Sequence, residues 1–223
     1  MKKSFFVLIL FAILLFNACE KKSSCPLDAS LGNKTLTASS KLFMPYPNQS
    51  VTLIFKNAKN DSIKIKTIVQ EYNPLRINDS LICGDGIDPS NSQYLFHDSE
   101  QILRGFNYNT SATNIDLLLR LYVDFVKDTV FYDKLIVRSS SKNVLSNMEL
   151  ITDTRNNTFS TGQLSVLNQN RFVADTTWNG KSFKNVYYSV PNKTDNSAVF
   201  YNKQFGIVGL RITDDMWILD RFE

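Results

Sequence analysis

The only histidine of the chain, His97, is followed directly by Asp98 and Ser99, and these residue types form the relay of serine hydrolases. Neighbours in sequence point in different directions, so these three side chains cannot form that relay among themselves. The sequence also lacks the Gly-x-Ser-x-Gly turn that exposes the nucleophile in many hydrolases. A metal site built on imidazoles would need further histidines. We therefore predict that His97 is a surface or turn residue without a catalytic role.

A candidate cation site lies in the stretch 83–91, which contains Asp85, Asp88 and Asn91. Their spacing differs from that of an EF-hand, which needs ligands at alternate positions and a closing glutamate. Glycine and proline in the same stretch favour an ordinary loop. The sequence therefore predicts no metal and no cofactor.

Glycan hydrolysis would need two carboxylates that converge from distant strands, and the sequence does not show which acids meet. Asp214 and Asp215 are adjacent, a pattern typical of a hairpin turn. Aromatic residues that could stack on sugars are present, but aromatics in strands are more often part of a core. They are Trp178, Tyr187, Tyr188 and Trp217. No catalytic residue is predicted, and hydrolysis of envelope polymers is the weakest of three functional hypotheses.

The amino-terminal segment decides the expected compartment. Lys2 and Lys3 precede an unbroken apolar run over residues 5–16. A helix that spans a bilayer needs about 20 apolar residues, so this run is too short for a permanent anchor. A short basic region followed by such a run is typical of a cleavable signal peptide, which we place at residues 1–18.

The signal segment ends in Phe16-Asn17-Ala18-Cys19, which resembles the lipobox of bacterial lipoproteins. Phe16 and Asn17 depart from the leucine and the small residue that this family prefers. An ordinary signal peptidase is the alternative, but it needs a small residue where Phe16 stands. The resemblance implies cleavage before Cys19, a diacylglycerol on its sulfur and a tether over residues 19–32. Two or more acyl chains anchor a protein firmly, so we expect a lipid anchor in the cell envelope, with the outer membrane favoured.

Charge and composition limit the partners of the exported chain. Residues 19–223 contain 23 basic and 21 acidic residues, and the basic ones are not clustered. A nucleic-acid-binding surface would show such clustering, so no nucleic-acid partner is predicted. The hydrophobic content of 43% is typical of a folded protein. The expected partners are the membrane, through the lipid on Cys19, and an unidentified protein, glycan or lipid.

Two covalent modifications besides lipidation are considered. Cys25 and Cys83 remain once Cys19 carries lipid, and export permits a disulfide between them, although two separate thiols are an equal alternative. Four Asp-Ser or Asp-Thr pairs precede an aliphatic residue or threonine, which resembles an O-glycosylation sequon of some envelope-rich bacteria. The acceptors would be Ser62, Ser80, Thr129 and Thr176. The alternative is that each Asp ends a turn and each Ser or Thr begins a strand.

The central chain shows the alternation of half-buried strands. Residues 51–55 and 63–69 alternate on either side of a turn at 58–61, which predicts an antiparallel hairpin. Residues 115–125 form the most regular pattern, with Leu118 and Tyr122 as apolar residues on the otherwise polar face. Shorter strands are expected at 135–138 and 148–152.

The carboxyl-terminal third predicts a meander. Asn179-Gly180 is a strong signal for a two-residue hairpin. Strands are expected on both sides of it and further along the chain, at 165–178, 182–190, 198–201, 205–213 and 216–222. One short helix is predicted over Ser99–Arg104, with Asp98 and Gln101 as its capping box and Gly105 at its end.

These elements predict a mainly β fold, either an antiparallel β-sandwich or a curved half-barrel sheet. We expect one β-domain over residues 33–223, with a subdomain break near 153–162 as the alternative. The stretches 43–57 and 205–219 resemble the opening and closing hairpins of small uncharacterised cell-envelope lipoproteins. That resemblance implies a fold and no activity. A non-enzymatic binding or assembly module is the preferred hypothesis, and a carrier of lipid or another apolar ligand is the second.

Overall fold

The computed structural model describes residues 28–47, 49–72, 74–83, 93–111, 113–126, 130–141, 144–160, 163, 169–190, 196–212 and 214–223. In chain order its elements are β1 (Ala29–Lys34), α1 (Ala38–Lys41), β2 (Thr52–Lys56), β3 (Ser62–Glu71), β4 (Leu75–Cys83), β5 (Gln93–Ser99), β6 (Gln101–Asn109), β7 (Asn114–Val126), β8 (Val130–Ser141), β9 (Val144–Asp153), β10 (Arg171–Trp178), β11 (Lys181–Tyr188), β12 (Ala198–Asn202), β13 (Gly206–Ile212) and β14 (Asp215–Phe222). The signal segment 1–18, Cys19 and Cys25 lie outside the described residues.

The mainly β prediction is confirmed, and the half-barrel is the form the sheet takes. Eleven antiparallel strands form one curled sheet in the order β10-β11-β12-β13-β14-β2-β3-β6-β7-β8-β9. The strands β1, β5 and β4 form a second sheet of three strands in that order. Five consecutive strands from β10 to β14 pair in chain order, so the predicted carboxyl-terminal meander is also confirmed.

The chain divides into two compact units. The smaller unit contains residues 1–30 and 78–96, and within it the backbone N–H of Tyr94 donates to Asp28 Oδ1 at 2.8 Å. The larger unit contains residues 31–77 and 97–223 and includes the whole eleven-stranded sheet. The expected single domain over 33–223, with a break near 153–162, stays a prediction.

The predicted hairpins form as the alternation indicates. β2 pairs with β3 so that Leu53 lies opposite Ile65 and Phe55 opposite Ile63, and all four side chains are buried. Asn179 and Gly180 join β10 to β11 with φ angles of 48° and 76°. A two-residue turn with positive φ at both positions matches the twist of the strands it connects.

β7 is the central strand of the larger core. Its five alternate apolar residues are at most 2% exposed. They are Ile115, Leu117, Leu119, Leu121 and Val123. The strands predicted at 135–138 and 148–152 belong to longer elements, because the ladder between β7 and β8 continues from Val126–Val130 to Ile115–Ser141. Polar residues extend these strands, so apolar alternation alone underestimated their length.

The predicted helix over Ser99–Arg104 is wrong, since Gln101–Asn109 is strand β6. β6 pairs with β7 along its whole length, from Gln101 opposite Tyr122 to Asn109 opposite Asn114. A helix of under two turns forms few backbone hydrogen bonds, too few to offset the unfavourable free energy of nucleation. In the sheet, the backbone of this segment is instead paired with β7 along the whole length of β6. The helix that the described residues contain, α1, lies earlier and is capped by the side chain of Thr37.

The segment before β2 fills the inside of the curled sheet. Tyr46 is 4% exposed, and its hydroxyl accepts a hydrogen bond from the backbone N–H of Ile207 at 2.7 Å. The Tyr201 hydroxyl donates to the carbonyl of Phe43. Burial raises the pKa of Tyr46 and Tyr201 above the ordinary value of 10.0, so both phenols stay neutral.

The curl also brings the two ends of the large sheet together. β12 lies against β8 and β9. The backbone N–H of Glu149 in β9 donates to the carbonyl of Gln169 at 3.2 Å, and the Asn170 amide donates to the carbonyl of Glu149 at 2.7 Å. Gln169 and Asn170 directly precede β10, the strand at the opposite end of the sheet order. The segment before β10 is therefore hydrogen-bonded to the strand at the other end of the sheet.

Candidate functional site

His97 does not lie on the surface or in a turn as expected. It is in β5, 5% exposed, with its ring edge-on to Phe131 at 4.9 Å and to Phe125 at 6.4 Å. Neither ring nitrogen has a hydrogen-bond partner. Ser99 is occupied elsewhere, because its hydroxyl donates to the carbonyl of Val123 at 2.7 Å and accepts from the Val123 N–H at 3.0 Å. The structure thus gives His97 a packing position between aromatic rings.

Two carboxylates, Asp124 and Glu149, share one lysine on the outer face of β7, β8 and β9. Lys134 Nζ is 2.5 Å from Glu149 Oε2 and 3.8 Å from Asp124 Oδ2. The hydroxyls of Tyr132 and Tyr122 donate to Asp124 at 2.9 and 3.3 Å. Burial, followed by the charge of Asp124, raises the pKa of both tyrosines. Both carboxylates form an ion pair with Lys134, and Asp124 also accepts hydrogen bonds from two phenols. Polar groups whose hydrogen bonds are all made in this way are typical of a structural network.

A cavity of about 400 Å³ lies between β11 and β14. We call it the β11–β14 cavity, and it is lined by Lys181, Ser182, Phe183, Phe205, Leu219, Asp220, Arg221 and Phe222. Its volume falls in the range of pockets that hold small ligands, about 300–1,000 Å³. Its lining combines four large apolar side chains with charged groups at the rim.

The apolar part of the cavity is built from residues of two strands and one turn. Phe183 and Leu219 are buried, with exposed fractions of 6% and 5%. Phe205 precedes β13 and lies edge-on to Phe183 at 6.3 Å. Phe222 is 37% exposed, and its ring lies edge-on to Tyr46 at 6.0 Å. The core tyrosine that fills the curled sheet therefore also supports the wall of the cavity.

Lys181 forms a bridge across one side of the cavity. Its ammonium donates to the carbonyl of Leu219 at 3.1 Å, to the carbonyl of Asp220 at 2.6 Å and to Asp220 Oδ1 at 3.0 Å. β12 and β13 separate β11 from β14 in the sheet order, so this bridge exists only because the sheet is strongly curled. All three ammonium protons are used, which makes Lys181 a fixed part of the wall.

Three cationic side chains surround the carboxylate of Asp220 at the edge of the cavity. Besides Lys181, its carboxylate lies 2.9 Å from Arg221 Nη1 and 3.4 Å from Lys56 Nζ. The hydrogen bond from Lys181, the largest favourable cause, and the charges of Lys181 and Lys56 lower its pKa, so Asp220 is ionised at neutral pH. Arg221 also approaches Glu223, with Nε 3.5 Å from Oε2. Three cations therefore face two carboxylates at this rim.

A smaller cavity of about 170 Å³ shares Lys181 and Asp220 with the β11–β14 cavity. It is lined mainly by polar side chains. Besides the two shared residues, the polar ones are Lys56, Asn57, Asn60 and Asn179, and Ile218 completes the lining. The salt bridge Lys181–Asp220 thus stands between an apolar space and a polar one. This arrangement fits a molecule with an apolar part and a polar end.

Comparison of the chain with protein-family models, with curated proteins and with solved structures found no match. The function must therefore be argued from the site itself. The described part of the chain contains no helix that is long and apolar enough to cross a bilayer.

The remaining predicted sites are only partly covered by the structure. Ser62 is exposed at the start of β3, and Thr176 is half-buried in β10. Ser80 and Cys83 belong to β4, but their side chains are not described. Thr129, Cys19 and Cys25 lie outside the described residues, as do Asp85, Asp88 and Asn91. Lipidation, the disulfide and glycosylation stay predictions, and the intact mass of the native protein, with and without reductant, would test all three.

Sequence reasoning did not find the β11–β14 cavity, although it placed the residues that line it in strands. The signals were present but indirect: Lys181 follows the Asn179-Gly180 turn, and Asp220-Arg221 interrupts an apolar strand. No pattern in the sequence indicated that the side chains of Lys181 and Asp220 form a hydrogen bond.

Proposed function

We propose that the chain is a lipid-anchored, non-enzymatic binding protein of the bacterial cell envelope. Support for the anchor comes from the sequence: a basic start, an apolar run too short to span a bilayer and Cys19 directly after Ala18. A single cysteine with two or more acyl chains would hold the folded domain at the membrane surface through the tether.

Replacing Cys19 by serine tests the anchor. We expect the variant to lack acyl mass and to leave the membrane fraction, because serine offers no sulfur for the thioether. Intact mass spectrometry and membrane fractionation of the expressed protein measure this. Cys25→Ser is the matched control and should stay membrane-bound. Equal membrane association and acyl mass in wild type and Cys19→Ser would contradict the anchor.

The β11–β14 cavity is the observation that carries the binding function. Its lining combines four large apolar side chains with the charged groups of Lys181, Asp220 and Arg221. This favours an apolar or amphiphilic ligand, such as an acyl chain, over an entirely polar one. Burying each methylene is worth about 0.8 kcal/mol, so a chain of several methylenes gains useful affinity in such a space. Of the hypotheses from the sequence, the carrier of an apolar ligand is thus the form of binding that the geometry supports best.

Replacing Phe205 by glutamate tests this proposal. Phe205 lines the cavity and is only half-buried, so the domain should fold while the new carboxylate makes the floor unsuitable for an acyl chain. We expect acyl binding to fall at least tenfold, since burying an unpaired charge beside an apolar ligand is costly. Binding is measured as the amount of lipid that co-purifies, by mass spectrometry.

Phe172→Glu is the matched control for the same exchange. Phe172 is 52% exposed on β10 and packs on Tyr187, away from the cavity lining. This variant should retain lipid at the wild-type level, and circular dichroism should show both variants folded. Unchanged lipid content in folded Phe205→Glu would overturn the assignment of the cavity.

A further inference from the structure

We propose that the ligand of the β11–β14 cavity carries a single anionic head, a carboxylate or a phosphate monoester, which Arg221 and Lys56 bind. This inference rests on the proposed function, since it assigns the polar end of a ligand whose apolar part occupies the cavity. The residues that bind the head must be those whose hydrogen-bond donors are not already used at the edge of the cavity.

Lys181 is excluded as the primary contact. Its three ammonium protons already serve the carbonyls of Leu219 and Asp220 and the Asp220 carboxylate. Its charge remains in place, however, and it lies at the boundary between the two cavities. It therefore contributes a fixed positive potential while other side chains make the contacts.

Arg221 has both the exposure and the donors for an anion. Its side chain is 56% exposed at the rim of the cavity. A guanidinium has five N–H groups in a planar fork. One is directed at Asp220 at 2.9 Å, and Nε approaches Glu223 at 3.5 Å. The rest of the fork can bind a carboxylate or phosphate through two parallel hydrogen bonds.

Lys56 faces the same position from the neighbouring strand β2. Its side chain is 44% exposed, and its Nζ lies 3.4 Å from Asp220 Oδ2. It lines the smaller cavity together with the amides of Asn57, Asn60 and Asn179. Lys56 Nζ and Arg221 Nη1 approach the same oxygen, Asp220 Oδ2, at 3.4 and 2.9 Å, so one anion at this edge would lie within reach of both cations. Three cations, Lys56, Lys181 and Arg221, converge on Asp220 here, which favours an anionic head over a neutral one.

The test uses the full-length lipoprotein in its own membranes and three photoactivatable probes with the same twelve-carbon chain. The probes are the carboxylic acid, the phosphate monoester and the uncharged alcohol, each with a diazirine at the far end of the chain. Crosslinked peptides are mapped by mass spectrometry. We expect the acid and the phosphate to label peptides that contain Phe183 or Phe205, and the alcohol to label them at least fivefold less. A preference between acid and phosphate identifies the head group.

Arg221→Gln and Lys56→Gln should each lower labelling by the acidic probes about threefold to fivefold, the range expected for a solvent-accessible ion pair. Labelling by the alcohol should not change. Arg138→Gln is the control, because Arg138 is an exposed arginine of β8 outside the cavity. All labelling is normalised to total incorporation in the membrane.

The outcomes separate this inference from the proposed function. Equal labelling of the cavity peptides by acid, phosphate and alcohol would overturn the anionic head and leave the apolar site intact. Labelling by none of the three would overturn both. Loss of alcohol labelling in Arg221→Gln would show that Arg221 shapes the cavity instead of binding the head, and would also count against the inference.

Discussion

Replacing Gly206 by alanine is expected to destabilise the fold by about 2–5 kcal/mol, from the sum of a backbone and a packing cost. Gly206 has a φ of 77°, a conformation that costs an L-residue about 1–2 kcal/mol. A Cβ at this position would also overlap the hydroxyl and the ring of Tyr46, which is buried and hydrogen-bonded to Ile207. The ring cannot move aside, because it packs edge-on against Phe106 at 5.3 Å.

Gly180→Ala separates the two causes of this effect. Gly180 has nearly the same φ, 76°, but a Cβ there would have no neighbour within 4 Å. We expect Gly180→Ala to cost only the backbone strain, about 1–2 kcal/mol. Urea unfolding of the purified proteins, followed by circular dichroism, measures both. Equal losses in the two variants would show that Tyr46 does not occupy the space beside Gly206.

A double substitution tests directly whether the Tyr46 ring clashes with a Cβ at position 206. In a Tyr46→Ala background the obstructing ring is gone, so Gly206→Ala should cost about as much as Gly180→Ala. Tyr46→Ala alone should cost about 3–5 kcal/mol, as large aromatic truncations in a core do. Additive losses in the double variant would contradict the predicted clash.

Replacing Arg155 by glutamine is the second change with a large expected effect, a loss of about 3–5 kcal/mol. Arg155 pairs with Asp133 through Nε and Nη2, both 2.7 Å from Oδ1. Asp133 is completely buried, and its other oxygen accepts from the N–H and hydroxyl of Thr37, each at 2.9 Å. Removing the guanidinium leaves a buried carboxylate without its countercharge, which is the costly case.

Asp133→Asn provides the test of that cause. In the Arg155→Gln background the asparagine removes the uncompensated charge, while its carbonyl oxygen can still accept from Thr37. We therefore expect the double variant to be more stable than Arg155→Gln alone. Urea unfolding of the four proteins of the cycle gives the coupling energy. A double variant less stable than either single one would indicate that charge burial is not the cause.

Both positions matter for the site because they hold the segment that fills the curled sheet. The ion pair Asp133–Arg155 fixes the chain at Thr37, and Gly206 leaves room for Tyr46. Tyr46 in turn packs against Phe222 in the wall of the β11–β14 cavity. Variants at these positions should therefore also weaken acyl binding, in proportion to the fraction that unfolds.

Much of the secondary structure follows from the sequence alone, because half-buried strands alternate with period two. The hairpin of β2 and β3, the strand β7 and the meander from β10 to β14 were all predicted. The error at Ser99–Arg104 has a definite cause. Asp98, Gln101 and Gly105 satisfy local helix-capping rules, but the strand β7 beside this segment offers a continuous ladder that local rules do not include.

His97 shows the same limit at a single residue. A lone histidine beside Asp and Ser was expected at the surface, yet β5 places it against Phe125 and Phe131. Alternation reports which face of a strand is apolar, but it does not report which strand covers that face. The neighbours of His97 come from residues about 30 positions away in the chain.

The sequence by itself predicts an export signal and a lipid on Cys19, and it determined much of the strand content and the order of the meander, because each depends on short-range composition or on a period of two. Only the tertiary structure decided the candidate site. Lys181 and Asp220 are separated by two strands of the sheet and meet because the sheet curls. Curl is the accumulated twist of many paired strands, a property that no short stretch of sequence contains.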